Sequence, residues 1–285
     1  MPYHDFLGVF TKLTVRRFGP PGAFLAIPTH DEQGNTPVVL LPNAEVPKGL
    51  KVGDVLNVFM YLDSEDRPVA TLRDPKIALG EVAFVEVMDT TPIGAFVDWG
   101  LLKHLLVPFA EQTRDVKKGE RHPVGLFLDK SGRLAGTMRV SEMLKSIGEF
   151  TLDERVEGEA WRNEPELGVF VILEKRFVGL LPKHEMHSLE RGSVGTFRIA
   201  HIHPDGKVEL SMRGQASDEL ANDAGTILKR LSAPNAPALG DKSSPEDIFS
   251  AYGLSKKAYK RAVGTLLKQG LVTISGGIVK KNEKK

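Results

Sequence analysis

Over the first 214 positions, apolar residues fall in short runs broken by polar turns. VLNVFMYLDSEDRPVATLR (55–73) and VGTFRIAHIHPDGKVELSMR (194–213) each read as strand, polar turn, strand, with Asp and Gly supplying the turn chemistry. The last forty residues follow another period. In SPEDIFSAYG, Ser244 is an expected N-cap, Pro245 takes the first helical position and Asp247 completes a capping-box pattern. SKKAYKRAVGTLLKQG places Ala258, Ala262, Val263, Leu266 and Leu267 at helical spacing, with Gly270 past the end. LVTIS and IV then flank Gly276-Gly277, a good two-residue hairpin turn. Helix, turn, helix and hairpin describe a winged helix. Before it, QASDELANDAGTILKRL reads as one helix and SAPNAPALGDKSS as a linker.

The strand-rich part repeats. GAFLAI (22–27), GAFVDW (94–99) and GVFVIL (168–173) correspond, as do VLLPNAE (39–45), LLVPFAE (105–111) and GLLPKHE (179–185). VGD, KGE and RGS follow, and ATLR, GTMR and LSMR close the units. Pro42 to Arg73, Pro108 to Arg139 and Pro182 to Arg213 each span 31 residues. From Phe to Pro the second and third units span 12 residues and the first 18, the difference being an inserted HDEQGN loop. About five short strands in about 70 residues is the size of a Greek-key OB barrel. The expected architecture is therefore mainly β with a small α/β end. It comprises three tandem OB-folds (1–75, 76–145 and 146–214), a helix and linker (215–242), and a winged-helix domain (243–285).

In GAFVDW the alternation of strand side chains puts Ala95, Val97 and Trp99 on one face, and Phe96 with Asp98 on the other. An Asp is expected outside a barrel, so Phe96 is expected outside with it. An outward ring suits either base stacking or packing against a neighbouring unit. Phe24 and Phe170 are the matching candidates, although their companions Ala26 and Ile172 do not separate the faces. Arg73, Arg139 and Arg213 close the last strands beside Thr71, Thr137 and Ser211. There they are either phosphate contacts or exposed strand-end charges. Lys256, Lys257, Lys260 and Arg261 open the second winged-helix helix, whose N-terminal end is the part that enters a groove. A solvated helix face is the other reading of these four.

Composition narrows the chemistry. The absence of Cys excludes disulfides, thiolate metal sites and thiol catalysis, and suits a reducing cytoplasm. The N-terminus has no signal-peptide pattern, and no apolar run reaches membrane-spanning length. Net charge is +1, but residues 242–285 carry ten Lys/Arg against three Asp/Glu, which suits an anionic partner such as nucleic acid. HEMH (184–187) lacks the four-residue His spacing of H-E-x-x-H, and HIHPD (201–205) lies at an expected hairpin turn, where His is common and harmless. There is no phosphate loop and no nucleophile elbow. Neither a cofactor nor a metal is expected.

The order G-[AV]-F, L-[LV]-P-x-x-E, Gly and a strand ending in Met-Arg or Leu-Arg resembles the S1 RNA-binding domain, a form of OB-fold. With DKSSPEDIFSAYGLSKKAYKRAVGTLLKQGLVTI behind three such units, the chain resembles the bacterial conserved virulence factor B family. YLDSEDR (61–67), IGAFVDWGL (93–101) and DKSSPEDI (241–248) carry that likeness. The resemblance implies a non-catalytic, RNA-binding, regulatory protein that takes single-stranded RNA and works beside the ribosome or RNA-processing machinery. Two departures stand out. Pro21, Ile93 and Leu167 occupy the place of a usual aromatic, and Pro42, Pro108 and Pro182 that of a frequent His. Losing two ring positions per unit lowers the affinity expected of one barrel and admits a purely architectural one. A winged-helix DNA-binding regulator and a ribosome- or protein-docking adaptor remain as alternatives.

Overall fold

The computed structural model describes residues 3–30, 34–185, 189–212, 216–240 and 242–282, with backbone only over 216–222. The chain divides after Leu210 into two compact units.

The first unit holds the three repeats. In the first, β1 (Phe10–Gly19), β2 (Gly22–Ala26), β3 (Val38–Pro42), β4 (Val55–Leu62) and β5 (Pro68–Thr71) close a barrel in the order β1-β2-β3-β5-β4. In the second, β6 (Val82–Thr91), β7 (Gly94–Asp98), β8 (Leu105–Pro108), β9 (Arg121–Leu128) and β10 (Leu134–Thr137) run in the same cyclic order. There the hydrogen-bonded sheet is open between β8 and β10. In the third, β11 (Arg155–Glu164), β12 (Gly168–Leu173), β13 (Phe177–Pro182), β14 (Val194–Ile202) and β15 (Val208–Ser211) again close. Residues 31–33 of the inserted HDEQGN loop lie outside the described residues.

Register explains the repeat markers. The motif Gly pairs with the motif Pro in every barrel: Gly22 with Pro42, Gly94 with Pro108, Gly168 with Pro182. These glycines sit at φ +150°, +146° and +134°. A Cβ on them would run into the carbonyl of Leu41, Val107 or Leu181 on the partner strand. Only Gly meets both demands.

The barrels are not beads on a string. Trp99, 2% exposed, shares one core with Phe59, Tyr61 and Val69 of the first barrel and with Val97 and Leu105 of the second. Its ring meets Phe59 edge-on at 5.9 Å and Tyr61 at 6.3 Å, and its indole N–H donates to the Lys103 carbonyl at 2.6 Å. The second and third barrels join through Val82, Phe84, Val140 and Ile172. The Val82 N–H also donates to the Lys175 carbonyl at 2.7 Å, and the Phe84 N–H to Glu159 at 3.0 Å. Ile172, which left the faces of the third unit unresolved in sequence, is buried in this second seam, while Val169, Val171 and Leu173 line the barrel core.

The second unit contains α1 (Ala216–Leu231), α2 (Pro245–Tyr252), α3 (Lys256–Lys268) and the hairpin β16 (Val272–Ser275)–β17 (Ile278–Lys281). The Ser244 hydroxyl caps α2 by accepting from the Asp247 N–H, and the Ser255 hydroxyl caps α3. Gly276 and Gly277 both take positive φ, as a type I′ turn requires. Two readings need correction. Leu267 is exposed, because it lies beyond the edge of the buried stripe that runs through Ala262, Leu266 and Val263; the fully buried Tyr259 takes the central place instead. Residues 215–242 are also no mere connector. Ala224 and Ile227 of α1 lie in the winged-helix core, and the Leu239 carbonyl accepts from the Val279 N–H at 2.9 Å.

Candidate nucleic-acid interface

Phe24, Phe96 and Phe170 occupy one structural position, the third residue of the strand that opens with the motif Gly. All three are half-buried on the side opposite the core. In each barrel the neighbouring strand breaks register just across from that ring: between Val15 and Arg17, between Val87 and Asp89, and between Ala160 and Arg162. A bulge of this kind re-aims a side chain. In the first barrel it lays Arg17 over Phe24, 3.6 Å from guanidinium carbon to ring centre. In the third it holds Arg162 5.0 Å from Phe170 and 5.1 Å from Trp161. A guanidinium on an aromatic face is held by cation–π attraction. Its planar outer side is a surface on which a nucleobase can stack. Arg17 and Arg162 were not among the residues singled out from sequence. Counting back five or six positions from the motif Gly would have found them, in TVRRFG and AWRNEPELG.

The second barrel differs at this place. Asp89 stands opposite Phe96, where the other barrels have Arg. Phe96 also walls a cavity of about 200 Å³ together with Tyr61 and Leu62 of the first barrel, beside Trp99. The cations along that cavity are engaged: Arg133 lies 2.6 Å and Lys103 3.7 Å from Asp66. The YLDSEDR hairpin is the first barrel's side of this seam. Asp63 accepts from the backbone N–H groups of Glu65 and Arg67. Burial would raise the Asp63 carboxyl pKa, but the hydrogen bonds from Arg67 and Glu65 prevail and hold it below the usual range. On the other side Asp98 is held low first by Lys76 and then by the Gly100 N–H.

At the strand ends the arginines are partly committed. Glu45 accepts from the Thr71 hydroxyl (2.6 Å) and the Leu72 N–H (2.7 Å), and lies 3.4 Å from Arg73 Nε. Arg139 donates to the Ala110 carbonyl at 2.9 Å. The hydroxyls of Thr71 and Thr137 turn inward and accept the backbone N–H of Arg73 and Arg139. The structure therefore does not bring a free hydroxyl and a free guanidinium together at either of these ends. Arg213 lies outside the described residues, as does part of HEMH. His203 Nε2 is 3.0 Å from Glu209, and the described residues contain no group of three potential metal ligands.

In the winged helix, Lys257, Lys260 and Arg261 are exposed and Lys256 half-buried, all in the first two turns of α3. Among the described residues none of the four forms an ion pair. Their charge adds to the positive end of the helix dipole.

Comparison with known proteins identifies the domain types. An S1 domain model matches residues 7–73, and a CvfB-like winged helix domain model matches residues 226–280. YitL of Bacillus subtilis is 32% identical over 250 residues, covering 84% of each chain. The chain belongs to the YitL and conserved virulence factor B family. Conserved virulence factor B of Staphylococcus aureus is 27% identical over 266 residues, covering 86% of this chain and 88% of that one. A crystal structure of a multidomain protein with nucleic acid binding domains from Streptococcus pneumoniae aligns over 98% of this chain and 99% of its own. Its TM-score is 0.41 and its identity 24%. As a member of this family the chain combines S1 and winged-helix domains, both nucleic-acid-binding types. No helix among the described residues is long and apolar enough to cross a membrane.

Proposed function

We propose that this family member is a non-catalytic, cytoplasmic RNA-binding regulator that holds single-stranded RNA on its barrels, with the basic end of α3 adding affinity. The observation that carries the reading is the guanidinium laid on an outer Phe at the same bulge of two barrels, Arg17 on Phe24 and Arg162 on Phe170. A flat cationic platform matches an unstacked base and its phosphate together, whereas bases inside a duplex present no free face. The unpaired cations of α3 support a sequence-independent electrostatic share. The relatives named conserved virulence factors support the regulatory half of the reading.

Gel-shift competition of a labelled single-stranded RNA tests it. Unlabelled single-stranded RNA should displace the probe at lower concentration than duplex DNA or duplex RNA of equal length, with chelator present or absent. Equal or better competition by duplex DNA would overturn the reading in favour of a winged-helix DNA-binding regulator.

A further inference from the structure

We infer that the RNA-holding work is divided unequally: the first and third barrels each carry a gripping patch, and the second is a rigid spacer between them. This rests on the single-strand reading above and deepens it. Three observations separate the second barrel from its neighbours. At the bulge that carries Arg17 and Arg162, it carries Asp89, whose carboxylate repels a phosphate brought to Phe96. Phe96 itself borders the cavity shared with Tyr61 and Leu62 of the first barrel, so its outward side belongs to a seam between barrels. Cation pairing alone does not separate the barrels: Lys103 and Arg133, which line that cavity, are both paired with Asp66, and Arg162 of the third barrel lies 3.0 Å from Glu164. The second barrel is also packed on both sides, through the Trp99 core and through the Phe84 and Ile172 patch. A unit spent on two seams has little free surface left for a strand.

Whole-barrel charge does not decide the matter. The segment 76–145 has ten Lys/Arg and nine Asp/Glu, against seven and nine in 1–75 and nine and twelve in 146–214. At physiological salt, charges farther away than about 8 Å are largely screened, so the groups at the ring matter more than the total. Two patches on one rigid unit also have a thermodynamic consequence. A strand long enough to reach both gains from the second contact as an intramolecular event, while a very short one engages either patch alone.

The test is a fluorescence-anisotropy titration of a labelled, unstructured single-stranded RNA against the full chain, with melting temperature measured on the same preparations. Phe24→Ala and Phe170→Ala should each weaken binding about five- to a hundredfold, the worth of a lost base stack. Arg17→Ala and Arg162→Ala, changes at exposed side chains, should each weaken binding and flatten the salt dependence by about 0.7. These two carry the test if a Phe variant fails to fold. Phe96→Ala should lower the melting temperature and leave the affinity of the folded protein within about twofold. A loss confined to one of the two patches would overturn the inference. So would a Phe96→Ala protein that melts normally and binds as poorly as Phe24→Ala. The parent protein, titrated with duplex DNA alongside, reports separately on the single-strand reading.

Discussion

Trp99→Ala should lower the melting temperature of the barrel unit by about 6–20 °C. Truncating a buried Trp costs ~3–5 kcal/mol, through lost transfer energy and the cavity left behind. At about 2–4 °C per kcal/mol for a cooperative unit of this size, that range follows. The loss should reach two barrels at once. The indole packs on Phe59 and Tyr61 from the first barrel while Val97 and Leu105 complete its surroundings from the second. Removing the ring also strips the partner from the Lys103 carbonyl. Hydrogen exchange read at β4 and at β7 should therefore accelerate together. A melting temperature within about 2 °C of the parent, or faster exchange confined to β7, would mean that the first two barrels do not share a core.

The second large effect is expected at the motif glycines. Gly94→Ala should cost about 3 kcal/mol or more in a denaturant titration. The backbone at φ +146° belongs to a region that L side chains rarely adopt, which costs ~1–3 kcal/mol by itself. The added methyl would also meet the Val107 carbonyl and stand 2.9 Å from the Pro108 Cα, so β7 and β8 would have to part. Gly119→Ala is the matched control. Its φ is +87°, yet nothing lies within 4 Å of a Cβ there, so only the conformational part of the cost remains. Equal costs at the two positions would remove close strand approach as the reason for the motif Gly.

Much of this architecture could be read from residues. The constant Pro-to-Arg spacing fixed the repeat length because Pro closes the strand opposite the motif Gly, and Arg73 and Arg139 each lie two residues past the end of the last strand of their barrel. Alternation correctly put Val97 and Trp99 on the buried side of β7, and the Ser-Pro and Gly-Gly signals marked the ends of α2 and the wing. Partnership between distant segments was harder to read. Period-2 alternation says that Trp99 is inside, but not that it is inside two barrels at once. Nothing local in YLDSEDR says that Asp66 meets Arg133. The platform residues Arg17 and Arg162 were hidden by the bulge, which shifts each by one position relative to simple alternation. The role of α1 was missed because its place in the core, through Ala224 and Ile227, depends on packing against α3. The first seam carries both segments of the barrel unit that looked family-specific, YLDSEDR and IGAFVDWGL, so part of what distinguishes this family from a lone S1 domain is how its barrels are joined.

The claim that the barrels hold single-stranded RNA is tested most directly by mapping where RNA touches the protein. A single-stranded RNA containing 4-thiouridine, bound to the full chain, crosslinked by long-wavelength light and analysed by peptide mass spectrometry, should mark the peptides that carry β2 with Phe24 and β12 with Phe170. Crosslinks confined to α3, with none on any barrel, would contradict the account.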